Sequence, residues 1–153
     1  EGPPMSTLSQ REQALFLLLN EIGIISQLSS ARLERLLPHG LTVAQFGLLN
    51  HLVRLDGDWS PARLAAAFQV TKGTMTSTLQ RLEAKGFISM RANPDDGRAK
   101  IVTLTEAGRR AREAALAATG PGLADLEAVL SSADVDALIP DLQKLRIWLD
   151  MHR

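Results

Sequence analysis

Five residues between positions 72 and 80 have chemistry suited to contacting a nucleic acid. They are Lys72, Gly73, Thr76, Ser77 and Gln80, and their spacing places them on one face of a helix. A lysine neutralises a phosphate or binds guanine, a glutamine pairs with adenine through two hydrogen bonds, and a threonine methyl contacts thymine. Gly73 lets the backbone approach a partner closely. A polar helix face is often only solvated, so the helix alone leaves both interpretations open.

A cation in a turn-rich segment adds to this pattern. Arg98 follows a run of turn-forming residues, and alternating residues at 87–91 and 100–104 predict two strands joined as a hairpin. Arg98 then lies at the hairpin tip, where a cation can enter a minor groove, and Arg91 and Lys100 lie on the flanking strands. In that position, directly after the polar helix, the hairpin favours DNA binding over a merely solvated face.

The polar face belongs to the second of two short predicted helices. Ser60 followed by a proline has the form of a helix start, and Thr71 caps the next helix, which continues to about residue 85 and stops at Gly86. The inward stripe of that second helix consists of Met75, Leu79 and Leu82. Two helices separated by a tight turn and followed by a hairpin form a winged helix-turn-helix, whose second helix is sized for a major groove.

Two helices are predicted before this unit. Residues 8–37 read as one long amphipathic helix, which Pro38 ends. A capping box formed by Thr42 and Gln45 begins the next helix, and turn residues at 56–58 close it. The apolar residues at helical spacing in the first helix are Leu15, Leu18, Leu19, Ile22, Ile25, Leu28, Leu33 and Leu36. The buried stripe predicted for the second helix is Phe46, Leu49, Leu52 and Val53.

Two further helices are predicted after the hairpin. Thr105 caps an alanine-rich helix, which Gly120-Pro121-Gly122 is expected to break or sharply kink. A last helix covers about residues 132–151, with a kink expected at Pro140. Its predicted buried residues are Val135, Leu138, Leu142, Leu145 and Leu149. The predicted fold class is therefore mainly α with a small β-hairpin wing (α+β).

Composition limits the class of protein. The 153 residues are 45% hydrophobic and 4% aromatic, which favours one helical domain with an aliphatic core. The lack of cysteine excludes disulfides, thiolate metal clusters and thiol redox sensing. Residues 1–4 are predicted to be a cloning remnant, so the domain is expected to span 5–153. We expect a cytoplasmic location, because there is no secretory signal and no apolar run approaches the roughly 20 residues of a membrane span.

Charge is distributed unevenly along a chain whose net charge is zero. Residues 59–112 contain ten Lys or Arg against four Asp or Glu, whereas the flanking segments contain seven against thirteen. The middle of the chain is therefore basic and the two ends are acidic. This distribution favours a polyanionic partner for the winged region despite the neutral total.

Three stretches of this sequence resemble the multiple antibiotic resistance regulator (MarR) family: residues 64–76, 82–88 and 95–108. The resemblance is dense over residues 60–110. It implies a homodimeric transcriptional repressor that binds a pseudo-palindromic operator in double-stranded DNA. The dimerisation helices would come from residues 5–41 and 113–153, and the winged helix-turn-helix from residues 42–112.

The same resemblance implies roles for single residues. Arg98 corresponds to the wing arginine and Asp96 to the acid that orients it, whereas Ser77 stands where many members carry a basic residue. Modest sequence specificity is therefore expected. The complete set of predicted DNA-binding residues is Ser60, Thr71, Lys72, Gly73, Thr74, Thr76, Ser77, Gln80, Arg91, Arg98 and Lys100.

The apolar content of the terminal helices gives a separate argument for a dimer. These helices contain more Leu, Ile and Ala than one small winged domain can cover, and an exposed apolar patch of that size favours association. The alternative is that the same helices pack on one another within a single chain. In a dimer, the two half-sites would lie about 34 Å apart, which is one turn of DNA.

The residues give little support for catalysis. His39, His51 and His152 lie in separate predicted elements without metal-ligand spacing, and the carboxylates are scattered over helix surfaces. We therefore expect neither an enzyme nor a metal or cofactor site. A more serious alternative is a winged helix that serves only as a protein-interaction module, which the basic middle and Arg98 argue against.

A small-molecule effector is a further expectation from the family resemblance. Family members commonly release DNA when a small aromatic or lipophilic acid binds between the dimer helices and the winged region. The candidate lining residues are Ile22, Phe46, Leu49 and Trp59. Each of these four residues is equally compatible with a place in the ordinary core.

Overall fold

The computed structural model of the protein describes residues 7–153, and the predicted cloning remnant lies outside them. Within that range the chain forms six α-helices, a short 3₁₀ turn and one hairpin. The elements are α1 (Gln10–Leu36), α2 (Val43–Arg54), α3 (Pro61–Phe68), α4 (Lys72–Ala84), β1 (Ile88–Ala92), β2 (Lys100–Leu104), α5 (Glu106–Ala124), the 3₁₀ turn Asp125–Ala128 and α6 (Ser132–Met151). The predicted order of helices and strands, and the mainly α fold class, are confirmed.

Side-chain caps set the starts of the helices in the winged region. The Thr42 hydroxyl accepts a hydrogen bond from the backbone N–H of Gln45 at 3.1 Å, and the Gln45 side chain accepts one from the backbone of Thr42 at 3.3 Å. The Ser60 hydroxyl caps α3 by accepting from the backbone N–H of Arg63, and the Thr71 hydroxyl caps α4 by accepting from that of Thr74. Gly86 follows α4 at a φ of +76°, a conformation that residues with a Cβ resist. These boundaries therefore follow from short-range chemistry that is visible in the sequence.

The core lies between α2, α3, α4, α5 and the hairpin. Its largest fully buried side chains are Leu48, Leu49, Leu64, Leu79, Leu82 and Ile88. The buried stripe predicted for α2 is partly wrong, because Gln45, Leu48 and Leu49 are buried whereas Leu52 and Val53 are half-buried. Since α2 contacts α4, α5 and β2, these neighbours decide which of its faces is buried.

The hairpin is joined to the start of α3. β1 and β2 pair antiparallel, with Ile88 opposite Leu104 and Met90 opposite Val102. The backbone N–H of Val102 also donates to the carbonyl oxygen of Trp59 at 2.8 Å. Because Trp59 directly precedes the cap of α3, this bond fixes the hairpin relative to the helix pair.

The predicted break at residues 120–122 is wrong. Pro121 lies inside α5, which continues to Ala124, and α6 likewise continues through Pro140. Pro121 lies in the last turn of α5, so its missing N–H removes at most one intrahelical hydrogen bond near the end of the helix. Gly122 lies directly against the Leu36 side chain, so α1 packs closely on this end of α5. The chain leaves the helix only at the 3₁₀ turn.

The two terminal helices have no buried residue within this single chain. Leu28 in α1 is 67% exposed, and Leu142 in α6 is 42% exposed although it was predicted to be buried. The burial predicted for α6 is therefore wrong for one copy. Half-buried positions occur where α1 and α6 lie near the rest of the chain, at Ile22, Leu33, Leu36 and Leu145.

α1 is the one helix in the described part of the chain that is long and apolar enough, by length and composition, to cross a membrane. The expectation that no such stretch exists is wrong, because Glu21 is the only charged residue between Glu12 and Arg32. Length and composition do not distinguish a membrane span from an apolar helix that packs against protein.

Candidate nucleic-acid interface

The polar face of α4 points away from the core. Met75, Leu79 and Leu82 are buried at 3%, 1% and 0% exposure, as predicted, and they hold the helix against the rest of the winged region. All the candidate contact residues of this helix and its cap are exposed: Thr71, Lys72, Gly73, Thr74, Thr76, Ser77 and Gln80. α4 therefore presents its polar face to solvent over its first three turns.

The N-terminus of α4 is held by its cap. The Thr71 hydroxyl accepts from the backbone N–H of Thr74 at 3.1 Å and lies 3.0 Å from the Thr74 hydroxyl oxygen. Both hydroxyls therefore have partners within the chain, and their first effect is to fix the helix start. Lys72 and Gly73 follow on the first turn, where unpaired backbone N–H groups and the helix dipole favour an anion.

The hairpin tip is organised by backbone hydrogen bonds. Asn93 donates to the carbonyl oxygen of Ala99 at 3.0 Å, and Ala99 donates to the carbonyl oxygen of Asp96 at 3.1 Å. The Asp96 carboxylate accepts from the backbone N–H of Arg98 at 3.1 Å. Asp96 thus contacts the Arg98 backbone, and within residues 7–153 the Arg98 guanidinium has no ion-pair partner.

A groove of about 470 Å³ separates the hairpin from the helix pair. It contains seven of the residues singled out from the sequence: Ser60, Lys72, Thr76, Gln80, Asp96, Arg98 and Lys100. Its three cations, Lys72, Arg98 and Lys100, form no ion pair with any described residue. The groove is therefore a positively charged channel with hydrogen-bonding groups along one wall.

Five predicted contact residues lie outside the groove. Thr71, Gly73, Thr74 and Ser77 are on the exposed start and side of α4, and Arg91 is exposed on β1 opposite Ile101. The sequence reasoning also missed Pro61, Ala62, Met90 and Ala99, which line the groove. Their chemistry gave no signal, since small or apolar residues become visible as lining only when the hairpin folds beside α3 and α4.

The three histidines lie apart, as predicted. His39 contacts Phe87 edge-on, whereas the His152 ring nitrogen lies 2.7 Å from the carbonyl oxygen of Trp148. Among the residues that the structure describes, no group of three His, Cys, Asp or Glu side chains is placed to hold a metal ion. None of the histidines therefore belongs to a recognisable metal centre.

His51 has the most unusual surroundings of the three. Its ring packs edge-on against Trp59 with ring centroids 4.3 Å apart, and against Phe68 at 5.2 Å. Its Nε2 is buried and has no hydrogen-bond partner among the residues that the structure describes. Burial, and to a smaller extent the charge of Arg54, lowers the pKa of His51 from its usual value of 6.5.

A cleft of about 1140 Å³ lies between α1, the end of α3 and α6. Its walls are largely apolar, and Arg146, Asp150 and Arg153 supply charged groups along α6. Of the four candidate effector-lining residues, Ile22 lines this cleft. Leu49, Phe46 and Trp59 belong instead to the core or pack against it, so the four residues do not form one site.

Known proteins match this chain in both sequence and fold. A sequence profile of the MarR family matches residues 39–99. A probable transcriptional regulator from Pseudomonas aeruginosa is 31% identical, with a TM-score of 0.68, and the match covers 84% of this chain and 98% of that protein. Wild-type MarR from E. coli in its apo form is 30% identical, with a TM-score of 0.74, over 84% of this chain and 96% of that protein.

A cysteine-to-serine mutant of E. coli MarR, solved in complex with operator DNA, is 29% identical, with a TM-score of 0.74. That match covers 90% of this chain and 99% of the mutant protein, so it includes the terminal helices as well as the winged region. The chain therefore belongs to the MarR family of DNA-binding transcriptional regulators.

Proposed function

We propose that this protein binds double-stranded DNA as a homodimeric transcriptional regulator, with α4 in the major groove and the hairpin tip in the adjacent minor groove. The observation that carries the proposal is the groove between them, which Lys72 of α4 and Arg98 and Lys100 of the hairpin line without an ion-pair partner among the described residues. A helix and a β-hairpin that share one cationic channel can follow two neighbouring grooves of a duplex. The E. coli relative solved with operator DNA supports this use of the fold.

The roles of the residues follow from their places in and around that groove. Lys72, Arg98 and Lys100 neutralise phosphates or enter the minor groove, and Gln80 reads a base edge in the major groove. The remaining contacts are to the sugar-phosphate backbone or to thymine methyl groups and come from Ser60, Thr71, Gly73, Thr74, Thr76, Ser77 and Arg91. With Gln80 as the main base-reading side chain, sequence specificity is modest.

The terminal helices make the dimer. Residues 5–41 and 113–153 form the dimerisation region, and residues 42–112 form the winged region. A second copy covers the exposed leucines and isoleucines of α1 and α6, which a single chain leaves in contact with water. The same association explains why α1 is long and apolar, because a second copy rather than a membrane covers it. It duplicates the groove by two-fold symmetry, so that the pair binds a pseudo-palindromic operator.

Regulation operates through the cleft between α1, α3 and α6. Its apolar walls suit a lipophilic or aromatic molecule, and Arg146 provides a cation for a carboxylate. An acid bound there changes the position of the winged region relative to the dimer helices and releases a repressor from its operator. Thermal-shift screening of phenolic and fatty acids, followed by operator-release assays, tests this part. Indifference to every such compound would contradict it.

The protein is non-enzymatic and acts in the cytoplasm, where its DNA target lies. The basic groove favours DNA binding over a winged helix that binds only protein. Protein contacts do not require three cations in one channel that lack an ion-pair partner among the described residues. Selection of bound sequences from a random duplex pool tests the proposal directly. A symmetric motif is expected, and recovery of no enriched sequence together with salt-independent binding would favour the protein-interaction module.

Arg98→Ala is the sharpest test of the groove. We expect DNA affinity to fall about tenfold or more, and the salt dependence to become less steep by about 0.9 log units for each lost phosphate contact. The fold should be retained because the side chain is exposed. Fluorescence anisotropy with a labelled duplex over a salt series, alongside circular dichroism, measures both. Lys144→Ala, which removes a cation that is 80% exposed on α6, is the matched control. Equal affinities for the two variants would remove the hairpin from the mechanism.

A further inference from the structure

The side chain of Arg153, just beyond α6, reaches the turn of the helix-turn-helix. One guanidinium nitrogen, Nη1, lies 3.2 Å from the backbone carbonyl oxygen of Ala66 in α3. The Asp150 carboxylate pairs with this guanidinium, with its Oδ1 2.8 Å from Nε and 2.5 Å from Nη2. With the Gln69 amide oriented so that its oxygen faces the guanidinium, that oxygen lies 3.1 Å from Nη2 and 3.2 Å from Nη1 and accepts from these two nitrogens. Arg153 is therefore bound by three groups at once.

The place that Arg153 contacts is the C-terminus of α3. Carbonyl groups at a helix C-terminus carry partial negative charge, which attracts a guanidinium. Gln69 caps α3 in the left-handed conformation, with a φ of +54°, and Thr71 begins the cap of α4 two residues later. Since only Val70 separates the two caps, a displacement of Gln69 is passed directly to the N-terminus of α4, where the candidate DNA contacts lie.

This contact is also the polar connection between α6 and the winged region. Within residues 7–153, every hydrogen bond or ion pair that joins the segment 132–153 to the segment 42–112 comes from Arg153. α6 has no buried residue, so apolar packing within the chain gives it little further hold. Among the described residues, the direct polar contact between the helix-turn-helix and the last helix segment therefore depends on one side chain.

We propose that Arg153 is a positioning residue for DNA binding: its guanidinium holds the α3–α4 turn against the last helix and thereby sets the position of α4 in the dimer. Arg153 does not touch DNA. It lies on the cleft between α1, α3 and α6, whereas the cationic groove is lined by other residues. The inference rests on the proposed function, because it concerns the geometry with which the dimer presents α4.

The experiment compares Arg153→Ala, Lys144→Ala and wild-type protein by anisotropy with a labelled duplex over a salt series. We expect Arg153→Ala to weaken binding about fivefold, as for loss of a partly exposed charged contact. Its salt dependence should keep the wild-type slope, because no phosphate contact is lost. Lys144→Ala removes the same charge from an exposed site on α6 and should bind like wild type. A shallower slope for Arg153→Ala would mean direct contact with DNA and would overturn the proposal.

Hydrogen exchange in the free protein gives a readout that needs no DNA. The amides of residues 69–75 should exchange faster in Arg153→Ala than in wild type, while the dimer and its unfolding midpoint, within about 2 °C, stay unchanged. Gln69→Ala should raise the same exchange rates. The variant that combines Arg153→Ala with Gln69→Ala should exchange no faster than either single variant. Unchanged affinity and unchanged exchange would overturn the inference. If wild-type protein fails to bind any duplex, the proposed function is wrong. The exchange rates then still test whether Arg153 holds the α3–α4 turn.

Discussion

The winged region and the terminal helices of this protein differ in how far their apolar residues are buried within one chain. Helices α2 to α5 and the hairpin share a core in which six large side chains are almost fully inaccessible to water. α1 and α6 are equally rich in leucine and isoleucine, yet neither has a buried residue in the single chain. The winged region is therefore complete within one copy, whereas the terminal helices need a partner surface.

This difference separates two kinds of stability. Free energy from the winged core belongs to one chain and does not depend on protein concentration. Free energy from covering α1 and α6 depends on association and therefore on concentration. A substitution in each region should reveal which kind it affects, and the following predictions run from the largest expected effect to the smallest.

Gly108→Ala should be the most damaging single change in the winged region. A Cβ at this position would collide with the backbone carbonyl oxygen of Phe87 and the side chain of Leu104. Since backbone cannot move aside as a flexible side chain does, we expect the free energy of unfolding to fall by about 3 kcal/mol or more. Urea denaturation followed by circular dichroism measures this loss.

Gly73→Ala in α4, also in the winged region, is the matched control for that substitution in the denaturation experiment. None of the described residues lies within 4 Å of a Cβ there, so alanine should leave stability unchanged or raise it by up to about 1 kcal/mol. Equal stability of the two variants would mean that α5 does not pack closely against Phe87, the residue before β1.

Leu82→Ala and Leu142→Asp compare the two regions directly. Leu82 is fully buried in the winged core, so its truncation should cost about 3 kcal/mol at every protein concentration. Leu142 is 42% exposed in the single chain, so aspartate there should leave monomer folding nearly intact and weaken dimer association at least about tenfold. Denaturation at two concentrations and analytical ultracentrifugation distinguish these outcomes. A Leu142→Asp variant that remains dimeric would remove α6 from the interface.

Helix caps allow a smaller comparison of the two regions. Thr105 caps α5 by accepting from the backbone of Gly108 at 3.0 Å, and its hydroxyl also donates to the Gly86 carbonyl oxygen at 2.6 Å. Ser131 caps α6 through Asp134 alone. We expect Thr105→Ala to cost about 2 kcal/mol and Ser131→Ala about 1 kcal/mol or less in urea denaturation. A larger loss for Ser131→Ala than for Thr105→Ala would contradict the stabilising role of the hydrogen bond from Thr105 to Gly86.

The smallest predicted effect is a dependence of stability on pH through His51. Because burial lowers the folded-state pKa of His51 below 6.5, the unfolded chain binds a proton more readily than the folded chain. The contribution is fully present above pH 6.5 and is lost as pH falls below 6.5 toward the folded-state pKa. Denaturation at about pH 7.5 and about pH 5.5 measures this loss.

His51→Phe tests the source of that pH dependence. Phenylalanine keeps the packing between Trp59 and Phe68 and removes the titrating ring, whose Nε2 has no hydrogen-bond partner among the described residues. The variant should therefore lose less stability than wild type on acidification. His152→Phe, in the exposed terminal region, controls for the loss of one histidine. An identical pH profile for wild type and His51→Phe would exclude His51 as the cause.

The parts of this protein that the sequence predicts well depend on residues close together in the chain. Thr42, Ser60, Thr71 and Thr105 each cap a helix through a backbone amide three residues away, which is why the helix starts were predictable. The alternation in the two strands and the turn residues between them likewise predicted the hairpin. The polar face of α4 followed from its helical period.

The errors concern contacts between elements that are distant in the chain. The buried face of α2 turned toward Leu48 because α4, α5 and β2 pack there, and α5 continued past Pro121 to end against α1. The groove residue Met90 gave no chemical signal in the sequence. Proximity across the fold, rather than residue type, made it part of the site.

The amino-acid sequence by itself determined the order of the helices and strands, the starts of the capped helices and the polar face of α4, since capping, turn formation and periodicity act over a few residues. Only the tertiary structure decided that Lys72 and Arg98 share one groove, that α1 and α6 remain uncovered, and that Arg153 reaches Ala66, 87 positions earlier in the chain. Burial and contact depend on how remote elements pack together, and local propensity carries no information about that packing.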